Sequence, residues 1–588
     1  MDAFLGVEHS ASGRRWVARP CDDRTALGIA QKLGVPEVLG RVLASRGVSM
    51  DGALGYLNPR LRDLLPDPSQ LADMDRAAER LARAVRDREG IAVFGDYDVD
   101  GATSSALLQR FFRSAGAEVK VYIPDRMREG YGPNAAAMLK LGAEGARVIV
   151  TVDCGTMAFA PLAAAADAGI DVVVVDHHVA GPELPRAYAV VNPNRLDETG
   201  VHGALAAVGV AFLLTVAVNR ELRRTNWYGA GRTEPDLMQM LDLVALGTVC
   251  DVVPLTGVNR ALVAQGLKVM AQRRNAGIAA LADVARVDSA PSAYHTGFLL
   301  GPRVNAGGRV GRSDLGARLL ATDDAVEAHA LAAELDRYNG DRKTIEAQVH
   351  RDALTLVERR GDPGPLVFVD GDGWHPGVIG IVASRLTEAY HRPSVVVAIE
   401  GGIGKGSCRS VPGVDIGAAV IAAQQAGLLM NGGGHRMAAG FTVGAGKVDA
   451  LGAFLRERVA AARLSTPAVH DFPLDGAINA TAANTELIER LEAAGPFGAG
   501  NAEPRFAVAA AEIVKVDVVG ESHVRALVGG GDGKGRLKAM AFRSLDGPVG
   551  AALLKGRGTR MHLAGTLRAD TWQGQTRAQL IVEDVAPA

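Results

Sequence analysis

Short runs of β-branched residues alternate with alanine- and leucine-rich stretches from Ile91 onward. The runs are IAVFG, EVKVYI, VIVTVD and DVVVVD, and stretches of helical length separate them near positions 102–115, 135 and 160. Apolar runs without polar alternation are typical of strands that are buried on both faces. The pattern therefore predicts βαβ units that form a mostly parallel sheet with helices on either side.

The rest of the chain divides into further segments by the same kind of pattern. Segment 311–362 combines dense mixed charge with helical apolar spacing, which predicts a helical connector. A second α/β unit is predicted over 363–465, beginning at PLVFVD. From 466 to 588 short strands alternate with glycine and aspartate turns, which favours an OB-like β-barrel, although a β-sandwich fits the same pattern. We thus expect a multidomain α/β protein whose N-terminal extension, 1–90, packs on the core domain, 91–310.

Composition and charge narrow the class of protein. The chain has 588 residues, 48% of them hydrophobic and 22% charged, as in an ordinary folded protein of several domains. The formal net charge is −2, so any nucleic-acid binding must use local grooves rather than an overall basic field. The four cysteines are widely spaced and form no CxxC pair, which argues against a disulfide framework or a structural zinc site.

The sequence offers no segment that fits a membrane span or an export signal. Its most apolar stretch, Leu205–Val218, is shorter than the roughly 20 residues that a membrane span needs, and it is interpreted as a buried helix. The opening MDAFLGVEHSASGRRW has acidic and polar breaks and does not resemble a signal peptide. We therefore expect a cytoplasmic protein without a membrane segment.

Acidic and imidazole side chains follow the carboxyl ends of three predicted strands, the edge at which open parallel sheets bind ligands. They are Asp96, Asp98 and Asp100 in DYDVDG, Asp153 after VIVTV, and Asp176, His177 and His178 after DVVVV. In an extended chain the three aspartates of DYDVDG would point to one side. Crowded carboxylates repel one another, so a cluster of divalent cations is the natural counter-charge, although calcium loops and plain surface turns also carry DxDxD. Histidine within an oxygen-rich set favours Mn²⁺ or Mg²⁺.

A further carboxylate, Asp251, follows the apolar run LDLVALGTV in GTVCDVVPL. Taken alone, this residue is more simply interpreted as a helix cap or a turn former. It becomes a candidate ligand only in the company of the acidic strand ends.

Glycine-flanked basic and hydroxyl residues are candidates for holding a phosphate. A basic surface turn is the alternative for GPRVNAGGR, whose glycines bring backbone amides and guanidinium groups close to an anion. In this motif and in GSCRS and GGGHRMAAG the candidates are Arg303, Asn305, Arg309, Ser407, Arg409, Ser410 and His435. Two aromatic residues, Tyr131 and Trp374, are candidates for stacking on unpaired bases, with an ordinary structural role as the alternative for each.

The motifs DYDVDG, VDCG, VDHH and GTVCDVVPL, in this order, resemble the four motifs of the DHH phosphoesterase superfamily. GPRVNAGGR, GSCRS and GGGHRMAAG are similar to motifs of its RecJ branch. The resemblance covers roughly Ile91 to Val443 and, more loosely, the predicted barrel. It implies a DHH catalytic domain followed by a DHH-associated domain that binds substrate.

The resemblance also implies roles for individual residues. One metal ion would be held by Asp96, Asp98 and Asp153, and a second would be held by Asp100, Asp153, His177 and Asp251. His178 would face the phosphate, and Asp176 would orient the imidazoles. Arg309, Ser407 and Arg409 would grip a terminal 5′ phosphate, while His435 would contact the scissile one. Histidine often occupies the first motif position in the superfamily, whereas this chain has Asp96 there.

The activity implied by the resemblance is 5′ to 3′ hydrolysis of single-stranded DNA to 5′ mononucleotides with two divalent ions, Mn²⁺ or Mg²⁺, in DNA repair and recombination. A monomer is expected, with a single-strand-binding protein and a helicase as partners. Two alternatives remain open at this point. One is a hydrolase of short oligonucleotides, cyclic dinucleotides or pyrophosphate, and the other is a non-catalytic binder of single strands.

Overall fold

The structure is a computed structural model that describes residues 2–126, 128–463, 471–529 and 535–588. Its N-terminal part is mainly helical. The elements are β1 (Arg15–Ala18), α1 (Asp23–Leu33), α2 (Glu37–Ser45), α3 (Ala53–Leu57), α4 (Leu61–Leu64) and α5 (Met74–Asp87).

A parallel sheet forms the centre of the next domain, as the apolar runs predict. Its strands and helices are β2 (Gly90–Gly95), α6 (Val99–Ser114), β3 (Val119–Tyr122), α7 (Ala135–Ala143), β4 (Ala146–Val152), α8 (Phe159–Asp167), β5 (Asp171–Val175) and β6 (Ala189–Val191). The strand order is β3-β2-β4-β5-β6, and every pair is parallel. The carboxyl ends of β2, β4 and β5 are therefore neighbours at one edge of the sheet.

Helices complete this domain and lead out of it. They are α9 (Ala207–Arg224), α10 (Leu241–Cys250), α11 (Gly257–Met270), α12 (Ala276–Val284), a π-helical stretch (His295–Leu300) that continues into α13 (Gly301–Val310), and α14 (Leu315–Ala321). The apolar stretch from Leu205 forms most of the buried helix α9. Within the described ranges, no helix is both long enough and apolar enough to span a membrane.

The predicted connector is a single long helix, α15 (Ala325–Arg360), which leads into a second α/β unit. That unit contains β7 (Val367–Asp372), α16 (Ile379–Tyr390), β8 (Ser394–Glu400), β9 (Ile403–Arg409), α17 (Ile416–Gln425), β10 (Asn431–His435), β11 (Ala438–Gly444) and α18 (Val448–Arg463). The sheet order is β10-β11-β9-β8-β7, with β7 and β8 parallel and the other pairs antiparallel.

A β-barrel ends the chain, and the predicted division at 465/466 lies outside the described residues. Its elements are β12 (Asp471–Leu474), β13 (Gly476–Ile478), α19 (Thr485–Glu492), β14 (Arg505–Val519), β15 (His523–Gly529), β16 (Arg536–Ala541), α20 (Pro548–Lys555), β17 (Arg560–Trp572) and β18 (Gln575–Pro587). The sheet runs β13-β14-β15-β16-β18-β17, and β17 also pairs with β14, which closes the barrel.

The N-terminal extension packs differently from our expectation. Only its second half, including Leu61 and Met74, joins the apolar core of the parallel-sheet domain. Ile29 and Leu39 share a core with the barrel, β1 pairs with β12, and the indole of Trp16 donates to Asp584 at 3.0 Å. The reason is that α1 and α2 each present one apolar stripe, and the barrel supplies the matching surface, which sequence patterning does not reveal.

One buried guanidinium contacts the parallel-sheet domain, the N-terminal extension and the segment that leads into the barrel. Arg260 of α11 is 2% exposed, lies over the ring of Tyr56 at 4.1 Å and donates to the carbonyl oxygens of Tyr56, Ala493 and Gly495. Its contacts therefore connect the parallel-sheet domain to the N-terminal extension and to the segment that enters the barrel.

We predict that Arg260→Ala destabilises the protein by about 3 kcal/mol, because three carbonyl oxygens lose their donor where water does not replace it. Denaturant unfolding followed by intrinsic fluorescence would measure the change. The matched control is Arg274→Ala, which removes an exposed arginine just beyond the same helix and should change stability by less than about 0.5 kcal/mol. Equal effects of the two substitutions would contradict the joining role of Arg260.

Candidate metal centre and phosphate pocket

The acidic residues meet at the carboxyl edge of the parallel sheet. Asp96 follows β2, Asp153 follows β4, and the Asp176-His177-His178 triplet follows β5. Asp251 reaches the same place from the C-terminal end of α10. Because β2, β4 and β5 are adjacent and parallel, their ends bring these side chains together, as the sequence predicts.

The DYDVDG segment is not extended throughout, in contrast to our expectation. Asp98 caps α6 by accepting from the Gly101 amide at 3.0 Å, and Asp100 already lies in the first helical turn. The carboxylate of Asp100 accepts from the amides of Ala207 and Val208, at 2.7 and 2.8 Å, at the start of α9. A helix that begins here takes Asp100 towards α9, while Asp96 and Asp98 stay close enough to share a group of possible ligand atoms with Asp153.

Asp153 occupies a conformation that few residues adopt. Its φ is 60°, in the left-handed region, and the hydroxyl of Tyr131 donates to its carbonyl oxygen at 3.1 Å. Its carboxylate lies 3.3 Å from Nε2 of His177. Strained residues persist where the surrounding structure holds them and are frequent at functional sites.

Among the described residues there are three groups of possible ligand atoms, and the atoms within each group lie within 4.8 Å of one another. They are Asp96 with Asp98 and Asp153, Asp100 with His177 and Asp251, and Asp153 with His177 and His178. The first two groups correspond to the two ions that the family resemblance implies. Asp153 belongs to the first group and also lies beside His177 of the second, so its carboxylate stands between the two groups. We propose these residues as the metal ligands.

The chemistry of this cluster fits divalent cations. Burial, together with the nearby charge of Asp98, raises the pKa of Asp96 to about 8 and that of Asp251 to about 7. Burial and neighbouring carboxylates also raise the pKa of Asp100 and Asp153. Oδ1 of Asp96 and Oδ2 of Asp251 are buried without a hydrogen bond from any described residue. Buried carboxylate oxygens without a hydrogen-bond donor are the environment that a bound cation would relieve.

The two histidines have different surroundings. His178 Nδ1 lies 2.7 Å from Asp176, which also accepts from the amides of Thr156 and His177 at 3.0 and 2.8 Å. Burial opposes a charged imidazole at His178, but the Asp176 hydrogen bond and charge raise its pKa. Burial and the neighbouring His178 lower the pKa of His177, which keeps it neutral as a ligand should be.

Two asparagines that sequence reasoning missed hold the histidine backbone. Asn192 donates to the carbonyl oxygen of His178 at 2.9 Å, and Asn194 donates to that of His177 at 2.5 Å. Both come from VVNPN directly after β6, the neighbour of β5. Two amide side chains at the end of a further strand were a usable signal for this edge of the sheet.

A cluster of guanidinium groups lies at the junction of the two α/β units. Arg309, at the end of α13, donates to the carbonyl oxygen of Gly377 in the second unit at 3.1 Å. Its pKa falls to about 10 because it is buried and because Arg126, Arg342 and Arg409 add positive charge. Arg342 already pairs with Glu346 at 2.6 Å and with Asn339 at 2.7 Å, whereas the buried Arg309 donates to a backbone carbonyl and to no carboxylate of the described residues, which favours an anionic ligand beside it. Arg126 and Arg342 were not predicted, because neither lies in a recognisable motif.

The second α/β unit contributes Ser407 and Arg409 from β9. A Cβ placed on Gly380 would lie 3.0 Å from Ser407 Oγ and 3.3 Å from Arg409 Nη2, so both side chains lie over the first turn of α16. Backbone amides at a helix start attract anions, and the hydroxyl and guanidinium add donors beside them. Burial lowers the pKa of Arg409, as for Arg309. We name this set of Arg126, Arg309, Arg342, Ser407 and Arg409 the arginine pocket.

Comparison with known proteins places this arrangement in a family. Family models match in three places, as the DHH family N-terminal domain (90–248), the DHHA1 domain (364–461) and the RecJ OB domain (474–584). The single-stranded-DNA-specific exonuclease RecJ of Dickeya dadantii is 38% identical over 94% of this chain and 96% of its own length. The chain belongs to the RecJ family.

Solved structures of a RecJ family member give the same result. RecJ of Thermus thermophilus in complex with Mn²⁺ superimposes with a TM-score of 0.81 at 30% identity, covering 97% of this chain and 79% of that one. Its complex with Mg²⁺ gives a TM-score of 0.75 at 28% identity, covering 97% of this chain and 78% of that one. These two ions are the ones that the donor atoms of this chain predict.

Several predicted phosphate ligands of this RecJ family member have other partners. Arg303 pairs with Asp336 at 2.8 Å and with the Leu299 carbonyl, which ties α13 to α15. The Ser410 hydroxyl donates to the carbonyl oxygen of Val414 at 2.8 Å. GPRVNAGGR is helical rather than a glycine turn, so its amides are used within α13. Asn305 is half-buried there, and Gly308 allows close packing, since a Cβ would lie 2.8 Å from the Tyr97 carbonyl oxygen.

The remaining candidates differ in accessibility. Trp374 is only 8% exposed and packs on Gly371, which fits the ordinary structural role that was the alternative to stacking on a base. Tyr131 is 55% exposed, with its ring 6.0 Å from that of His178. His435 is exposed at the end of β10, next to the turn into β11. These two side chains remain available for contact with a substrate.

We predict that Mn²⁺ raises the thermal midpoint of this RecJ family protein, because ions that bind the folded state alone stabilise it. Asp153→Ala should remove most of the rise, since Asp153 lies between both groups of ligands. Differential scanning fluorimetry with Mn²⁺ or EDTA would measure it, with Asp167→Ala, an exposed aspartate at the end of α8, as the control. The same rise in Asp153→Ala would show that the ion binds elsewhere.

Proposed function

We propose that the chain is a metal-dependent 5′ to 3′ exonuclease that releases 5′ mononucleotides from single-stranded DNA. One observation carries the proposal: the acidic cluster and the arginine pocket are joined through α13, whose Arg309 lies in the pocket. Burial of Arg309 against the second unit supports a pocket closed by both units. The relatives that match nearly the whole chain are named single-stranded-DNA-specific exonucleases.

The acidic cluster is suited to phosphodiester hydrolysis. Divalent ions held by Asp96, Asp98, Asp100, Asp153, His177 and Asp251 would supply positive charge to the phosphoryl oxygens and make water a better nucleophile. His178, whose pKa the Asp176 hydrogen bond raises, would place a further positive charge beside the phosphate. Asp176 acts as a positioning residue, because its other oxygen accepts from the Thr156 amide and fixes its orientation.

The arginine pocket is suited to a chain end rather than to an internal phosphate. Arg309 and Arg409 are largely buried, and two guanidinium groups match the two negative charges of a terminal phosphate better than the single charge of a diester. Gripping the 5′ terminal phosphate here would place a nearby phosphodiester over the acidic cluster. This arrangement supports action from the 5′ end, with His435 as a proposed contact to the scissile phosphate.

The barrel is proposed as a further surface for the single strand, in keeping with its match to the RecJ OB domain. We also propose that the protein acts as a monomer in the cytoplasm, in DNA repair and recombination, with a single-strand-binding protein and a helicase as partners.

We expect immediate release of labelled mononucleotide from a 5′-labelled single-stranded oligonucleotide in Mn²⁺ or Mg²⁺, and none in EDTA or from the duplex. A 3′-labelled strand should release its label late. Asp153→Ala should abolish hydrolysis while DNA binding largely remains, because the phosphate contacts lie elsewhere. Turnover of dinucleotides or pyrophosphate without cleavage of long strands would indicate a small-substrate hydrolase, and binding without any turnover would indicate a non-catalytic binder.

A separate prediction concerns the 5′ end. Wild-type protein should prefer a 5′ phosphate to a 5′ hydroxyl, and Arg409→Ala should reduce this preference by about tenfold, because a charge-assisted hydrogen bond is lost. The measurement is kcat/KM on two oligonucleotides that differ only at the 5′ end. Lys405→Ala, an exposed cation on the same strand β9, should leave the preference unchanged. If Arg409→Ala lowered kcat/KM equally for the 5′-phosphate and the 5′-hydroxyl oligonucleotides, the arginine pocket would not recognise the 5′ end.

A further inference from the structure

The loop that carries Asp251 is held from outside the parallel-sheet domain. This loop, residues 251–255 (DVVPL), joins α10 to α11, and the amide of Leu255 donates to the carbonyl oxygen of Ala499 at 2.7 Å. Ala499 belongs to residues 498–501 (GAGN), which lie between α19 and β14 of the barrel. We call these two segments the DVVPL loop and the GAGN loop. A segment distant in the sequence therefore fixes the backbone close to a proposed metal ligand.

The two loops approach closely because the GAGN loop meets the DVVPL loop with glycines. A Cβ on Gly498 would lie 2.8 Å from Cδ1 of Leu255, and one on Gly500 would lie 2.8 Å from Cβ of Pro254. Gly500 also has a φ of 67°, in the left-handed region that favours glycine. A side chain at either position would therefore push the two loops apart.

The GAGN loop is held in one conformation by its own hydrogen bonds. Gly498 and Asn501 exchange two backbone hydrogen bonds, at 2.9 and 3.2 Å, which close the loop. The buried side chain of Asn501 donates to the carbonyl oxygens of Ala494 and Pro496 at 3.0 and 2.8 Å. It also accepts from the hydroxyl of Tyr56 at 2.9 Å. Buried polar groups whose hydrogen bonds are satisfied make a segment rigid, so this loop is a firm support.

The DVVPL loop contains a strained residue that needs such a support. Val252 has a φ of 63°, a conformation that β-branched residues rarely adopt, and its side chain is exposed. Strain of this kind persists only where the surrounding structure holds it. Leu255, at the other end of the loop, is buried against Ala245 and Val263 and is bound by the GAGN loop. Release of Leu255 would allow Val252 to relax and Asp251 to move.

The DVVPL loop is also tied to the other ligands of the second proposed ion. The side chain of Asn259 donates to the carbonyl oxygens of Pro254 and Ala204, at 3.1 and 2.6 Å. The segment that follows Ala204 supports His177, whose Nδ1 lies 3.1 Å from a backbone carbonyl oxygen, and Asp100, which accepts from two backbone amides. One frame therefore supports all three side chains of this ligand group.

We propose that the GAGN loop positions Asp251, so that its carboxylate completes the ligand group for the second ion with Asp100 and His177. This proposal rests on the proposed function, because the ligand roles belong to it. The group around Asp96 and Asp98 is built on the end of β2 and the start of α6 instead. The barrel thus supports one of the two ions without contacting it, in addition to any contact that it makes with DNA.

Two alanine variants with similar backbone strain test the proposal. Gly500→Ala places a left-handed alanine against Pro254, whereas Gly520→Ala places one at a φ of 61° with no atom within 4 Å. Isothermal titration calorimetry measures Mn²⁺ binding to the full-length proteins. Wild type and Gly520→Ala should bind two ions equally well. Gly500→Ala should bind one ion normally and the other about tenfold more weakly, as when a residue that orients a metal ligand is lost.

A second pair of variants guards against misfolding of Gly500→Ala, which the thermal midpoint in EDTA reports. Gly498→Ala lacks the left-handed strain but meets Leu255, whereas Gly446→Ala has no atom within 4 Å of its Cβ. Gly498→Ala should weaken one ion about tenfold and Gly446→Ala neither.

The metal dependence of hydrolysis separates positioning of Asp251 from a loss of DNA binding. For Gly500→Ala, kcat/KM should return towards the wild-type value at high Mn²⁺, and the affinity for single-stranded DNA in EDTA should be unchanged. Equal weakening of both ions, or Mn²⁺ binding by Gly500→Ala and Gly498→Ala that matches their controls, would overturn the proposal. Two ions bound by wild-type protein that does not hydrolyse DNA would contradict the proposed function instead, whereas selective weakening of one ion would still support the positioning role.

Discussion

Repulsion among buried carboxylates is the constraint on which the rest of this structure depends. Asp96, Asp98, Asp100, Asp153 and Asp251 converge where burial raises the pKa of most of them. A fold tolerates such a cluster only if bound cations or protons neutralise it and a stable frame holds it together. The frame is the parallel sheet, whose adjacent strand ends fix the backbone of each acidic segment, while the first amides of α9 hold Asp100 by two hydrogen bonds.

The surroundings of the acidic cluster provide the opposite charge at a set distance. α13 starts against the helix that carries Asp251 and ends with Arg309 inside the arginine pocket. The second α/β unit completes that pocket with Ser407 and Arg409. The helix α15 connects the two units and therefore affects where the second unit packs. In this account the length of α13, together with the close packing at Gly301 and Gly308, sets the distance between the bound 5′ phosphate and the site of hydrolysis.

The sequence predicted the acidic edge of the sheet well because apolar runs mark the strands and each acid follows a run directly. It predicted partners poorly, because a polar residue type does not reveal what it will contact. Arg303 and Ser410 have the composition of phosphate ligands but pair within the protein, and Trp374 packs on a glycine. The signal for Asn192 and Asn194, two amides directly after β6, was overlooked, whereas Arg126 and Arg342 escaped notice since only the tertiary fold brings them to the site. The packing of α1 and α2 on the barrel was missed for the same reason.

The central claim is that two divalent ions are held by the acidic cluster and share Asp153. The most direct measurement is the anomalous scattering of manganese in crystals of the protein grown with Mn²⁺. The account predicts two anomalous peaks, one beside Asp96 and Asp98 and the other beside Asp100, His177 and Asp251, with Asp153 in contact with both. Ions bound away from Asp153, or an acidic cluster without any peak, would contradict it.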